Sequence, residues 1–412
     1  MYTSDRIRSA SRALRANIAR TLLTVLGIVI GITAIILVMS IGDGAESLIL
    51  GQIEGLGSRT IIIEPGREPQ GPSDFSEVYT DSLKDRDLVA IEDEANVQGL
   101  TDTAPLIIQV VTVSHDDESK RLTVYGTSER FTDIMDIRAE DGVLISEDDV
   151  RRDASVAILG SDVRKDLFGE SDAVGETVKI KDRTYTVIGT VESKGQVGFL
   201  DVDGMVVVPY TTAQQYISGT SHFSAIFARA DHEDNVPRIT RDIELTLREM
   251  HGIDDPEKDD FHVTTQADAT EMVQLITSIL TALLASVAAI SLIVGGIGIM
   301  NIMLVTVSER TREIGLRKAL GATDGDVLTQ FLFESVILTG LGGGIGILLG
   351  AGLSFLVSVV LSQALDVEWV FTFPVSAALL GLGVSSAIGL IFGLYPARQA
   401  AKKSPIEALR NE

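Results

Sequence analysis

The sequence contains no cysteine. That excludes disulfides, thiol catalysis, thiolate-bound zinc and Fe–S clusters. The phosphate-binding pattern G-x-x-x-x-G-K-[ST] occurs nowhere in its 412 residues, so these residues do not hold ATP in a P-loop. Histidine is sparse: His115, His222, His232, His251 and His262 are scattered, and none stands in H-E-x-x-H or another metal-ligating spacing. Asp116, Asp117 and Glu118 after His115 read as solvated acids of a hairpin turn. Asp254, Asp255, Asp259 and Asp260 lack the glycine spacing and terminal glutamate of an EF-hand loop. No catalytic residue, cofactor site or metal site is expected in the chain itself.

Charge is missing where a soluble protein would carry it. Four windows hold no Asp, Glu, Lys or Arg: Thr21–Gly42, Met272–Ser308, Ser335–Leu365 and Trp369–Ala397, of 22, 37, 31 and 29 residues. A helix needs about 20 apolar residues to cross the hydrocarbon core, so each window suffices for one crossing. A single soluble globule, a disordered chain and a fibrous repeat are excluded. The first window follows Arg6, Arg8, Arg12, Arg15 and Arg20. It exceeds the h-region of a signal peptide and has no good A-x-A site after it, so it reads as an uncleaved membrane helix. The second window exceeds the need for one crossing, and its more polar beginning (Gln274, Thr277, Ser278, Thr281) is expected to project as a stalk. None of the four carries a charge in its middle, which weighs against an ion pump or a proton-coupled carrier.

What remains is charged and unevenly placed. Of the 92 charged residues, 69 lie between Asp43 and Glu271, 48 acidic and 21 basic. The other 13 Lys and Arg flank the first window, follow the second and follow the fourth. By the positive-inside rule both termini and the 308–334 loop are cytoplasmic, and 43–271 faces outward. Such an acidic domain does not bind nucleic acid by charge. Its dispersed acids, and the 10 Lys beside 24 Arg of the whole chain, favour a solvated coat of the kind halophile proteins carry over attraction of a cationic substrate.

The expected fold is an α-helical membrane protein of four transmembrane helices with a large mixed α/β extracytoplasmic domain between helices 1 and 2. Its parts are a cytoplasmic amphipathic helix at 1–20, a membrane helix at 21–42, the outer domain at 43–271, a stalk and membrane helix at 272–307, a cytoplasmic loop at 308–334, membrane helices at 335–365 and 369–397 joined by an outer turn at 366–368, and a cytoplasmic tail at 398–412. In the outer domain, Val-, Ile- and Thr-rich runs predict strands at 59–64, 106–113, 121–125, 155–159, 177–180, 184–191, 205–208 and 223–228. Helices are expected at 44–56, 82–94, 162–167, 212–217 and 235–250. The strand-dense stretch at about 121–210 reads as an inserted subdomain, and 66–76 as a mobile loop. Glycines recur four apart at Gly27 and Gly31, at Gly340 and Gly344, at Gly342, Gly346 and Gly350, and at Gly389 and Gly393. Such faces serve helix packing, either inside one subunit or along a homodimer seam. Gly295, Gly296 and Gly298 mark a candidate bend.

Residues 308–326, SERTREIGLRKALGATDGD, describe a short charged amphipathic helix with an i,i+4 pair Glu313–Arg317, an apolar side of Ile314, Leu316 and Leu320, and Gly321 as its stop. That suits a partner-docking element. The stretch GGIGIMNIMLVTVSERTREIGLRKALGAT (Gly295–Thr323) resembles the signature of the MacB/FtsX/LolC-type ABC transporter permeases. So do ALRANIARTLLTVLGIVIGI (Ala13–Ile32), the tail YPARQAAKKSPIEALRNE (Tyr395–Glu412), and RTIIIEPG (Arg59–Gly66) and VVVPYTTAQ (Val206–Gln214) in the outer segment. The resemblance covers nearly the whole chain.

It implies a permease that works as a homodimer or pseudodimer, here expected as a homodimer, with two copies of an ATPase, which bind ATP and Mg. Their closure would pass along the stalks to the outer domains by mechanotransmission, for export or extraction of a substrate. It assigns ATPase coupling to Glu309, Arg310, Thr311, Arg312, Glu313, Ile314, Gly315, Arg317, Lys318, Gly321 and Ala322. MacB carries its ATPase ahead of the first membrane helix, and this chain begins about 20 residues before its own, so a separate ATPase subunit is expected. The implied location is the plasma membrane, in contact with lipid, with an extracytoplasmic substrate-delivery protein as a further candidate partner. Two alternatives stay open: an FtsX-like regulator of a cell-envelope enzyme, and a membrane-anchored receptor.

Overall fold

The computed structural model describes residues 18–67, 81–198, 200–365, 369 and 371–410. The expected amphipathic helix up to residue 17, the expected loop at 66–76 from residue 68 on, and the turn at 366–368 lie outside them. The helices are α1 (Ile18–Glu54), α2 (Asp85–Glu92), α3 (Arg130–Ile134), α4 (Glu147–Arg151), α5 (Ser161–Phe168), α6 (Tyr210–Ala213), α7 (Val236–His251), α8 (Gln266–Glu309), α9 (Thr311–Ala319), α10 (Asp324–Leu365), α11 (Val375–Ala401) and α12 (Pro405–Arg410). The strands are β1 (Thr60–Pro65), β2 (Leu100–His115), β3 (Glu118–Thr127), β4 (Ala139–Gly142), β5 (Val156–Leu159), β6 (Thr177–Ile180), β7 (Arg183–Val191), β8 (Gln196–Val197), β9 (Leu200–Asp201), β10 (Met205–Pro209), β11 (Ala225–Ala230) and β12 (Phe261–Thr265). Two compact units result, Met1–Leu48 with Gln274–Glu412, and Ile49–Val273.

In the first unit α1, α8, α10 and α11 are each long and apolar enough to cross a membrane. Their glycines are contact points. A Cβ added to Gly27 would stand 2.9 Å from the Gly295 Cα, and one on Gly31 would stand 2.9 Å from Leu292, so α1 and α8 touch almost backbone to backbone. Gly342, Gly346 and Gly350 of α10 face α1 through Val25, Ile28, Ile32 and Ile36, and Thr33 Oγ1 donates to the Gly346 carbonyl at 3.1 Å. Gly389 and Gly393 of α11 lie against Thr339 and Ser335 of α10. These glycines pack within one chain. Gly340 and Gly344 have nothing within 4 Å among the described residues. α8 stays helical through Gly295–Gly298, where Gly295 seats Gly27 and Gly296 seats Phe392.

The second unit is one connected sheet in two parts. β12, β1, β11 and the first half of β2 form an open antiparallel sheet. The second half of β2 continues through β3, β10, β5 and β7, and β6 pairs with both β7 and β2. That closes a six-stranded ring. Alternation does the rest: Val206 and Val208 join one apolar core, and Met205 and Val207 join another. Residues 121–210 therefore supply most of the ring and remain hydrogen-bonded to the open sheet through β2. All eight expected strands are present. β4, β12 and the two-residue pair β8 and β9 are additional; β4, reading AEDG, is mostly exposed and polar. The helix expected at 44–56 is the end of α1.

Local chemistry fixes the corners. β12 runs into α8 with no intervening residue, because the Thr265 N–H and hydroxyl donate to the Asp268 carboxylate at 2.9 and 2.6 Å and Thr265 Oγ1 accepts from the Asp268 N–H at 3.2 Å. In the loop before β10, Asp203 accepts from Ser193 Oγ at 2.7 Å and from the N–H groups of Lys194 and Gly195 at 2.8 and 3.2 Å. Burial pushes this carboxyl up, but those donors outweigh it and hold it below 3.8. His251, at the end of α7, lies 2.6 Å from Asp260 and 3.3 Å from the fully buried Asp87 of α2, which ties three elements beside β12.

Candidate functional site

The polypeptide leaves α8 at Glu309 and enters α9 at Thr311, so one residue makes the corner. Its backbone serves both helices: the Arg310 N–H donates to the Thr306 carbonyl at 3.0 Å, and the Arg310 carbonyl accepts from Ile314 N–H at 3.0 Å. Thr311 Oγ1 reaches back to the carbonyls of Val307 and Ser308 at 3.0 and 2.9 Å. At the far end the Leu320 and Gly321 N–H groups close on Leu316 and Lys318, and Gly321 has φ +102°, where a side chain would be strained. Thr323 and Asp326 then cap α10 reciprocally.

The charges of this helix divide into two sets. Arg310 Nη1 stands 3.4 and 3.5 Å from the two oxygens of Glu334 on α10. Arg317 donates to Gln330 at 2.9 Å and pairs with Glu313 at 2.5 Å. Lys318, its side chain 8% exposed, donates to the carbonyls of Ala401 and Lys403 and pairs with Asp324 at 2.7 Å. These three cations hold α9 to α10 and to the end of α11. Ile314 is buried in a core with Val327, Phe331, Ala397 and Ala400. A Cβ on Gly315 would fall 2.6 Å from the Ala408 Cβ, so its close approach is to α12 of the same chain.

The outward face consists of Arg312, Glu313, Leu316, Ala319 and Leu320, with Leu316 54% and Leu320 82% exposed. This corrects the expected amphipathic pattern. Ile314 points inward and Leu316 outward because two residues subtend about 200° on a helix. The free face is therefore an apolar patch of Leu316, Ala319 and Leu320 beside the charges of Arg312 and Glu313. Glu309 is exposed at the end of α8 and Ala322 is half-buried. Glu334, Gln330 and Asp324 of α10 hold Arg310, Arg317 and Lys318 from behind and lie outside the outward face of α9; they are not among the residues assigned from the sequence. The available signal for Glu334 is its position as the last charge before the uncharged run from Ser335.

A polar cleft of about 560 Å³ lies in the outer unit between α2, α3, α4 and Tyr210. Asp85, Glu92, Glu129 and Glu147 line it. Burial first, and then the field of Asp85, Glu92 and Glu129, pushes the Tyr210 phenol up. Asp102 at its edge would rise through burial, but Arg229, 2.6 Å away, brings it below 3.8. Among the described residues no group of three His, Asp or Glu is placed to hold a metal ion.

Residues 21–245 match the family described as MacB-like periplasmic core domain, and residues 275–405 match FtsX-like permease C-terminal. A macrolide export ATP-binding/permease protein MacB of Wolinella succinogenes is 35% identical over 413 residues, covering 99% of this chain and 61% of that one. The Rhodospirillum rubrum protein of the same name is 38% identical over 415 residues, covering 99% and 60%. The chain thus spans about three-fifths of the length of these curated relatives. The crystal structure of the periplasmic region of MacB from Actinobacillus actinomycetemcomitans aligns with a TM-score of 0.47 at 23% identity, covering 55% of this chain and 97% of that one. The extracellular domain of the transporter YknZ from Gram-positive bacteria aligns with a TM-score of 0.41 at 17% identity, covering 50% and 100%.

Proposed function

The chain belongs to the MacB/FtsX-type ABC transporter permease family, and from that premise we propose that it is the membrane subunit through which ATP hydrolysis moves an extracytoplasmic domain. The observation that carries this reading is the one-residue corner between α8 and α9. A 44-residue helix, about 66 Å long, is joined through Arg310 to a short helix whose exposed face is Leu316, Leu320 and Arg312. No P-loop lies in these residues, so ATP and Mg are bound by an ATPase outside them, proposed as a separate subunit in two copies. That ATPase receives the outward face of α9, and tilting α9 displaces α8.

A homodimer is supported by α8 itself. Its exposed apolar residues run from Leu275 to Val305, about 45 Å along the axis. The hydrocarbon core covers about 30 Å, and a second copy would cover the rest. The proposed setting is the plasma membrane with both termini cytoplasmic. The relatives are named for macrolide export, so macrolides are the first substrate class to assay; a delivery protein outside the membrane is a further proposed partner. The test is capture of the ATPase. The wild-type chain should recover it from membranes, and Leu316→Glu with Leu320→Glu should weaken its affinity for the ATPase at least about a hundredfold, since two buried leucines are worth about 3 kcal/mol or more. Equal recovery by the double variant would remove α9 from the interface.

A further inference from the structure

Glu334 has an unusual position. Its residue surface is 7% exposed, on a helix that is otherwise uncharged from Ser335 to Leu365. A buried carboxylate without a partner is costly. Arg317, the other guanidinium nearby, already serves Glu313 and Gln330. Glu334 therefore takes Arg310, with both of its oxygens within 3.5 Å of one guanidinium nitrogen. Arg310 is the whole corner between α8 and α9, and its backbone is bonded into both helices.

We infer that Glu334 is a positioning residue for energy transfer: it pins the Arg310 corner to α10, so that the corner is a fulcrum for α9 and α8. Resting on the coupling role proposed above for α9, the inference assigns direction to the movement. With the corner pinned, a tilt of α9 turns α8 about Arg310. With the corner free, the same tilt is absorbed by local displacement of the loop. Glu334 faces the chain's own Arg310 and is no part of the outward face of α9, so its removal separates ATPase engagement from transfer. The apolar cavity of about 280 Å³ lined by Ile53, Leu56, Ile62 and Ala269 lacks any feature that selects an occupant, and this pair is the more specific observation.

The absence of cysteine makes the test direct. A single cysteine is placed at Ser119 in the outer unit and spin-labelled, and the full chain is reconstituted in lipid vesicles with the ATPase that the wild type recovers. Label mobility and label-to-label distance are read before and after ATP with vanadate, with ATP turnover measured in parallel. Glu334→Gln keeps the shape and one acceptor but removes the charge. It should retain wild-type ATPase recovery and turnover while the ATP-dependent change at the label falls roughly tenfold, the worth of one charge-assisted hydrogen bond. The exchange of Arg310→Glu with Glu334→Arg should restore most of that change. A wild-type response in Glu334→Gln overturns the inference. Loss of ATPase recovery in that variant overturns it too, by reducing Glu334 to local folding. No response in the wild type itself would instead sink the coupling reading beneath it.

Discussion

At Gly27 one added carbon would meet the backbone of Gly295 at 2.9 Å, and a backbone atom does not swing aside. Gly27→Val is expected to destabilise the membrane unit by about 1–3 kcal/mol through overpacking. Gly344→Val, with nothing within 4 Å among the described residues, should leave the melting temperature in detergent unchanged. Equal damage at both positions would show that the spacing of glycines, and not their neighbours, decides. Asp203 offers a second test, in the outer unit. Its folded state holds the carboxyl below 3.8, so its stabilising contribution is complete above the unfolded value and is lost as pH falls through the folded one. The melting temperature followed by circular dichroism should therefore drop below about pH 4. Asp203→Asn should cost about 1–3 kcal/mol at neutral pH and flatten that acid limb. A variant with the full wild-type acid response would assign the effect to other carboxylates.

The short helix α9 makes a prediction of its own. Gly315 seats α12 through Ala408, and Lys318 caps the carbonyls of Ala401 and Lys403 just before it. Gly315→Val should lift α12 and raise the rate of tryptic cleavage at Lys402 and Lys403 roughly tenfold, through the larger population of the opened tail. An unchanged rate would mean that α12 is held by other contacts. This element also marks the limit of what the residues disclose unaided. Its helix, its Glu313–Arg317 pair and its glycine stop are local properties, legible from spacing. Which way its cations turn is not, because Arg310, Arg317 and Lys318 find partners 24, 13 and 83 residues away. The same holds for His251, which meets Asp87 across the fold, and for β6, a four-residue strand whose pairing with both β2 and β7 closes the ring. Alternation identifies a strand and its faces but carries no record of its neighbours. The uncharged runs were legible for the opposite reason: crossing hydrocarbon is a property of one helix alone.

For the molecule as a whole the proposed topology is the decisive arrangement. It follows from Lys and Arg concentrated in the short flanks of the membrane helices. Single cysteines in this cysteine-free chain report it without background. A cysteine at Ser119 should react with a membrane-impermeant thiol reagent in intact cells, and one at Ser404 should react only after lysis. The reverse labelling would invert the proposed direction of every step from ATPase to outer domain.

The place of β1 has a consequence for how such a chain is made. β1 pairs on one side with β11 and on the other with β12, as in Ile62 opposite Phe227 and Thr264. Its partners are synthesised some 160 and 200 residues after it. At about 5–20 residues per second, the strand waits for roughly ten seconds or more with both edges open. Three consecutive isoleucines, Ile61–Ile63, are exposed during that interval, a segment prone to pair with a neighbouring chain. Closing so long a loop also slows the step itself. Biogenesis is therefore expected to be most vulnerable before residue 265 has emerged. A pause placed just ahead of β12 should raise aggregation far more than one placed after it.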